Sequence, residues 1–279
     1  MMNALQLPAP AKINLFLHVL GRRADGYHLL ETEFQFVDLA DQLTFQLAPQ
    51  LSLNGDCGDV AAADNIILRA AHALQPYAAK PCGAAIQLEK RIPMGAGLGG
   101  GSSDAATTLL ALNRLWQLGL SLKQLAAIGL TLGADVPVFV HGFAALARGV
   151  GEQLTPSSPP EDHYLLLYPG VAIATAAIFT DPALPRATPP LASDHYDVWQ
   201  LANDCEAIAM QRYPEVEKAR SWLLNFAPTR MTGTGSCLFA RFDCARAAQD
   251  CAAQLPAGWQ AWVCRGQNRS PLHQALAAH

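Results

Sequence analysis

From Ala11 to Leu20 two kinds of position alternate. Ile13, Leu15, Leu17 and Val19 fall on one side, and Lys12, Asn14, Phe16 and His18 on the other. A period of two predicts a strand with one buried face, and it turns Lys12 and Asn14 the same way, about 7 Å apart. Gly21-Arg22-Arg23-Ala24-Asp25-Gly26 then reads as a turn, and a second strand is predicted from Tyr27 through Val37. Helical spacing marks Ile66 to Leu74, and a short strand runs from Ala84 to Glu89. Beyond Ser103, Ala105, Ala106, Leu109, Leu112, Leu115 and Trp116 recur at helical intervals, with Ser102 or Ser103 predicted as the cap and Gly119 as the stop. Ser121 opens a second helix and Gly133 closes it. In Ala134 to Val140, Pro137 predicts a strand edge or an irregular extended segment.

The stretch from Thr155 to His163 has the composition of a linker, in competition with the Pro-rich Asp181 to Pro190, and a boundary is placed near Pro156. Two domains are expected, residues 1–155 and 156–279. In the second, the pattern predicts a strand (Tyr164 to Leu167) and helices (Val198 to Gln211, Pro214 to Leu224). Strands follow around Met231 and Leu238, then a helix (Cys244 to Gln254) and a strand (Trp259 to Cys264), an order compatible with a β-α-β-β-α-β sandwich. No internal repeat interrupts this order.

The densest local signal is Pro93-Met94-Gly95-Ala96-Gly97-Leu98-Gly99-Gly100-Gly101-Ser102-Ser103-Asp104, which joins a strand to a helix. Glycine lets backbone turn through positive φ and approach a ligand without a Cβ in the way, and a helix start offers unpaired N–H groups. Together they make a phosphate seat, with a mobile glycine hinge as the competing reading. Gly95-Ala-Gly97-Leu-Gly-Gly100 fits the dinucleotide pattern, but Asn113 to Leu122 carries no acid for a ribose, which opposes an oxidoreductase. A Walker loop needs Lys-Ser/Thr where Gly101-Ser102 stands, and the protein-kinase signatures are missing.

Composition narrows the field. Hydrophobic residues make up 51% and charged residues 15%, and mean hydropathy is +0.14, so a membrane span has to be considered. Val136 to Ala147 is too short for one and is broken by Pro137, His141 and Gly142, and the N-terminus lacks the order of a signal peptide, so a cytoplasmic protein without membrane partners is expected. Nineteen basic and twenty-three acidic residues give a net charge of -4 without a basic run, which argues against nucleic acid as a partner. Seven cysteines without a C-x-x-C pair indicate free, mostly buried thiols rather than disulfides or a zinc site.

The Pro-x-x-x-Gly-Leu-x-x-Gly-Ser-Ser-Asp-Ala-Ala loop resembles the ATP-binding motif of the GHMP kinases. Further stretches resemble the branch of that family acting on a cytidine-diphosphate-linked methylerythritol: Pro10 to Leu17, Arg23 to His28, Leu132 to Phe139, Ile178 to Pro182 and Thr232 to Gly235. The resemblance implies an α+β, two-domain GHMP kinase fold, with an N-terminal ribosomal-protein-S5-like α/β domain and a C-terminal ferredoxin-like β-α-β-β-α-β domain. It also implies transfer of the ATP γ-phosphoryl group to the C2 hydroxyl of the methylerythritol, with Mg²⁺, by a monomer or weak homodimer. Rival readings are a GHMP kinase of the homoserine or mevalonate type and a non-catalytic nucleotide sensor.

By the same resemblance Lys12 and Asp135 form the catalytic pair. Taken alone, Asp135 equally suits a turn cap, and Lys12 suits either a solvated face or, with Asn14 and His18, the floor of a site. Pro93, Met94, Gly95, Ala96, Gly97, Leu98, Gly99, Gly100, Gly101, Ser102 and Ser103 are the expected nucleotide contacts, with Asn65 and Lys90 toward the adenine. Tyr27, His28 and Phe179 are placed by the resemblance at the cytosine ring, where aromatic faces can stack, although Tyr27 and Phe179 read alone as core or turn aromatics. Asn14 and Thr175 complete the substrate set. Metal ligands and the direction of Asp104 stay open, and Gly233-Thr234-Gly235 reads as a hairpin turn or as part of the site.

Overall fold

A computed structural model of the chain describes residues 4–56, 61–193 and 195–278. Strands β1 (Leu5–Arg22) and β2 (His28–Ala48) form a long antiparallel hairpin closed by the Asp25-Gly26 turn. Both run well past the predicted bounds. The alternating pattern of β1 does not leave one face wet: Lys12, Asn14, Phe16 and His18 are buried too. The cover comes from distant chain, since Leu17 N–H donates to Ala202 O (3.1 Å), Asp204 N–H to Leu17 O (2.8 Å) and Lys12 N–H to Leu98 O (3.0 Å). Register shifts interrupt the β1–β2 ladder between Pro10 and Lys12 and between Asn14 and Leu17. Such bulges free peptide groups to bond elsewhere and re-aim side chains.

The opposite edge of β2 is shared by three strands: β5 (Ala145–Arg148) at Thr32–Phe34, β10 (Gln260–Gln267) at Phe36–Val37, and β4 (Gly83–Glu89) at Gln42–Ala48. Strand β3 (Ser52–Gly55) extends the sheet beside β4, and β6 (Gln153–Pro156) pairs with β5. Helices α1 (Ile66–Leu74), α2 (Gly100–Leu115), α3 (Leu122–Leu132) and α4 (Val136–His141) cover this half. The Asn65 carboxamide caps α1, and Ser121 with Gln124 closes a capping box on α3.

Two expectations need correction. Helix α2 begins at Gly100 behind a left-handed Gly99 (φ 71°), so Ser102 and Ser103 lie inside its first turn and cap nothing. The segment around Pro137 is helical, because a proline in the first turn of a helix loses only an N–H that has no ladder partner there.

In the second half, β7 (His163–Tyr168), β8 (Thr229–Met231), β9 (Leu238–Phe242) and β10 stand in the order β10-β7-β9-β8, all antiparallel. Helices α6 (Glu206–Arg212), α7 (Pro214–Leu223) and α8 (Ala245–Ala252) pack on them, giving the expected β-α-β-β-α-β order of an α+β fold. The predicted helix from Val198 to Gln211 is broken: Val198–Gln200 is a short 3-10 turn and α6 starts at Glu206. Sequence reading missed the short α5 (Thr175–Phe179) and α9 (Pro271–Ala278), whose Leu272 enters the core of the first half. A further buried cluster spans both halves, joining Ile13, Leu15, Val37, Ile92 and Leu98 to Tyr164, Leu166 and Phe239. Among the described residues no helix is long and apolar enough to cross a membrane. Six cysteines, 82, 205, 237, 244, 251 and 264, are free, while Cys57 lies outside the described residues.

Candidate active site

Between the halves lies a cleft of about 930 Å³. Its floor is the β1 bulge and its wall the glycine loop, which adopts positive φ at Gly95, Gly97 and Gly99. The loop is pinned to the second half by backbone bonds from Ile173 N–H to Gly95 O (2.9 Å) and from Cys237 N–H to Ala96 O (3.1 Å). The first bond of the α2 ladder runs from Ser103 N–H to Gly99 O, so the N–H groups of Gly100, Gly101 and Ser102 precede it. A helix start of this kind concentrates positive partial charge.

Lys12 rises from the floor with three oxygen partners: Asn14 Oδ1 (2.6 Å), Gly97 O (3.0 Å) and Asp135 Oδ2 (3.3 Å). Its ammonium also stands 5.4 Å from the centre of the Phe34 ring. The lysine side chain is 3% exposed and that of Asp135 33%, so the pair is sealed on the lysine side and open on the carboxylate side. Asp135 sits at the N-terminus of α4 but makes no capping hydrogen bond, which removes the turn-cap reading. Asn14 is held in turn: its N–H donates to Thr232 Oγ1 (2.9 Å) and its carboxamide to Thr32 Oγ1 (2.8 Å). Thr32 was not singled out from sequence, and Thr232 only as the first residue of the resembling stretch Thr232 to Gly235. Thr32 takes its place through the β1–β2 register and Thr232 through the fold of the second half, and neither contact with Asn14 leaves a local pattern.

A second charged group lies at the entry to the loop. Lys90 Nζ donates to Asp104 Oδ2 (3.0 Å) and to Asp41 Oδ2, while Asp41 Oδ1 accepts from Arg91 N–H (2.6 Å) and Ile92 N–H (2.8 Å). The open question of Asp104 is thereby answered: it points at Lys90 within the protein. Burial raises its carboxyl to about 7, against the pull of Lys90 and with the push of Asp41. Asn65 lines the cleft while its side chain caps α1.

At the other end Tyr27 is exposed at 62%, and the His28 ring stacks on Phe179 with centroids 5.0 Å apart. Thr175 Oγ1 and Thr234 Oγ1 are 3.3 Å apart, and Gly233 and Thr234, in the β8–β9 hairpin turn, line the cleft, so that turn serves both readings given to it. The cleft thus brings together Lys12, Asn14, Tyr27, His28, Asn65, Lys90, Pro93 to Ser102, Asp135, Thr175 and Phe179. Ser103, fully buried, faces inward instead, and its hydroxyl has no hydrogen-bond partner.

Residues 65–143 match the family model of the GHMP kinases N terminal domain, and residues 191–261 that of the GHMP kinases C terminal domain. The chain belongs to the GHMP kinase family. Among its relatives in that family is the 4-diphosphocytidyl-2-C-methyl-D-erythritol kinase of Shewanella sp. (strain ANA-3), 55% identical over 268 residues, which are 95% of this chain and 94% of that one. The kinase of the same name from Shewanella loihica is 54% identical over 98% of this chain and 97% of its own. The crystal structure of a 4-(cytidine 5'-diphospho)-2C-methyl-D-erythritol kinase superposes with a TM-score of 0.81 at 36% identity, covering 94% of this GHMP kinase and 98% of that one.

Proposed function

We propose that this GHMP kinase transfers the γ-phosphoryl group of ATP to the 2-hydroxyl of 4-diphosphocytidyl-2-C-methyl-D-erythritol, in the non-mevalonate route to isoprenoid precursors. Support comes from relatives of that name at 54–55% identity over nearly the whole chain, and from a 36% identical structure of the same enzyme. The observation that carries it is the Lys12–Asp135 pair, 3.3 Å apart, beside the glycine loop.

Phosphoryl transfer asks for alignment and charge neutralisation more than for covalent help. In the proposed reaction the acceptor hydroxyl lies against Asp135, whose open carboxylate takes its proton as the new P–O bond forms. Lys12 stabilises the oxygens that gain negative charge, and Asn14 and Gly97 O keep its ammonium in place. Backbone N–H groups of Gly95 to Ser102 hold the phosphates at the α2 N-terminus, with Asn65 and Lys90 toward the adenine end, and Ser103 supports the turn from below. Tyr27, His28 and Phe179 take the cytosine ring, and Thr175 its linked phosphates or sugar.

Among the described residues no cluster of three or more His, Cys, Asp or Glu stands ready to hold a metal. The donors present suit magnesium nevertheless, an ion that keeps waters and substrate phosphates as most of its ligands and needs few from protein. The Ser102 hydroxyl lines the cleft at the start of α2 and would hold it, while Asp104 is turned to Lys90. Bound there, Mg²⁺ would neutralise charge on the ATP phosphates.

The division into residues 1–155 and 156–279 belongs to the same proposal. It is supported by the end of β6 at Pro156 and the start of β7 at His163, although α9, within 156–279, packs on the first core. Free cysteines suit a reducing compartment, and we place the enzyme in the cytoplasm.

ADP release over a panel of alcohols tests the reading. Activity with the cytidine-diphosphate-linked methylerythritol supports it, whereas none with that alcohol and activity with homoserine or mevalonate refutes it.

A further inference from the structure

Arg186 follows the Pro-rich stretch after α5 and has no part in the reaction as proposed. Its guanidinium nevertheless uses every donor it has. Nη1 donates to Leu184 O (3.1 Å) and Pro182 O (3.4 Å), and Nη2 to Asp181 O (2.6 Å) and Phe179 O (3.1 Å). The fifth donor, Nε, reaches His28 Nε2 at 3.1 Å. One side chain therefore holds the turn that carries Phe179 and joins it to the histidine on which Phe179 stacks.

Guanidinium nitrogens donate and never accept. The His28 atom facing Nε must then present a lone pair, which puts the ring's single proton on Nδ1. An imidazolium would set two donors against each other, so the same contact keeps the ring neutral. Burial, Arg186 and Arg22 lower the pKa of His28, in agreement with this geometry. With Nε2 occupied, Nδ1–H is the one polar group of the ring left for a ligand.

We propose that Arg186 is a positioning residue that locks His28 as its Nδ1–H tautomer and fastens the Phe179 turn beside it, so that the cleft meets the base of the acceptor with a hydrogen-bond donor. Cytosine carries a bare N3 on its reading edge, and uracil carries N3–H there. A fixed donor bonds to the first and opposes the second, which makes Arg186 a determinant of base choice without touching the base.

The inference rests on the proposed substrate, but its first test does not. In the full chain labelled with ¹⁵N-histidine, long-range proton–nitrogen correlation reads the tautomer, and loss of a signal in His28→Gln identifies the ring. Nδ1–H with a bare Nε2 is expected; Nε2–H in the wild type overturns the proposal. In Arg186→Met the tautomer should shift toward Nε2–H. KM for the cytidine-linked alcohol should rise about tenfold, the worth of one hydrogen bond to an otherwise satisfied polar group, with KM for ATP within about twofold. The preference for the cytidine-linked over the uridine-linked alcohol should fall by a similar factor. An equal rise in KM for both alcohols, with the preference kept, would mean that Arg186 only braces the turn, and overturns it. The wild-type measurement decides even where Arg186→Met fails to fold. If the wild type phosphorylates neither alcohol, the functional reading falls while the tautomer still answers for Arg186.

Discussion

Replacing Gly97 by alanine tests the link between the glycine loop and the proposed catalytic floor. Gly97 has φ of 75°, and a Cβ built on it would lie 2.2 Å from Thr232 O and 3.1 Å from Gly235 N and O. Those are backbone atoms of the β8–β9 turn, so no side chain can swing aside. Real Cβ contacts essentially never fall under 3.0 Å, so the loop and the turn must part by about 0.8 Å. Left-handed backbone adds about 1 kcal/mol for alanine. The displaced strand of the loop carries Gly97 O, which accepts from Lys12 Nζ (3.0 Å) and from Thr232 Oγ1 (3.3 Å). Lys12 therefore loses its footing along with the proposed phosphate seat.

A misplacement of about 1 Å at reacting groups costs on the order of 10²-fold in rate, and Gly97→Ala should lower kcat in the ADP-release assay by about that factor. Its melting temperature should fall by a few degrees, in line with about 1–3 kcal/mol for strain at a special φ. Gly119→Ala is the control for left-handed backbone alone, because Gly119 has φ of 69°, its Cβ would meet nothing within 4 Å, and it does not line the cleft. It should lose about 1 kcal/mol and keep the rate. Turnover of Gly97→Ala within threefold of wild type, or an equal loss of rate in Gly119→Ala, would refute the reasoning.

Asp135→Asn should cut turnover by about 10²- to 10⁴-fold with the KM for ATP nearly unchanged, and unaltered turnover would remove Asp135 from the mechanism. Asp104 holds its proton up to about pH 7 in the folded chain, against 3.8 for an unperturbed aspartate, so its contribution to stability is complete below about pH 4 and is lost as pH rises through about 7. Urea unfolding of Asp104→Asn from pH 5 to 8 should therefore show a shallower decline than wild type, by at most a few kcal/mol across the range; a parallel decline would count against the buried acid. Ser121→Ala removes the capping box of α3, outside the cleft lining, and should cost about 1 kcal/mol in denaturant unfolding while leaving kcat as it is.

What could be read from the sequence was what local chemistry decides. Helix α1 stands where its period puts it, and α3 where period and end signals put it, because Ser121 and Gly133 act on its two ends. The shared direction of Lys12 and Asn14 followed from a period of two and survives as a 2.6 Å bond. The same signals misled where two conformations satisfy them equally: Pro137 suits a strand edge and a first helical turn alike. Serines beside the glycines suggested a cap, yet Gly99 takes the left-handed turn itself. Strand β2 continues beyond Val37, the predicted end, through Asp38 and Asp41. Asp41 is in fact buried against Lys90 and two backbone N–H groups, and Asp38 Oδ1 accepts from Arg265 N–H, partners that only the tertiary fold supplies. The contacts made by Thr32, Thr232 and Arg186 were invisible for the same reason.

The two lysine–carboxylate groups at the cleft differ in a way that bears on the proposed reaction. A triphosphate brought beside carboxylates meets repulsion unless each carboxylate is neutralised or turned away. Asp104 is turned away: burial holds it near neutrality and Lys90 spans it to Asp41, so the start of α2 keeps its positive end for phosphate. Asp135 must instead stay open to receive a proton, and its exposed side leaves room for an acceptor while Lys12 covers the other. An anion could not be gripped if both acids were open, and no hydroxyl could be served if both were sealed. The asymmetry has a structural origin, because Asp104 lies within the first turns of a buried helix whereas Asp135 precedes α4 at the rim, with its carboxylate free of any capping bond. Exchanging the two environments, rather than deleting either acid, is therefore the change this cleft would tolerate least.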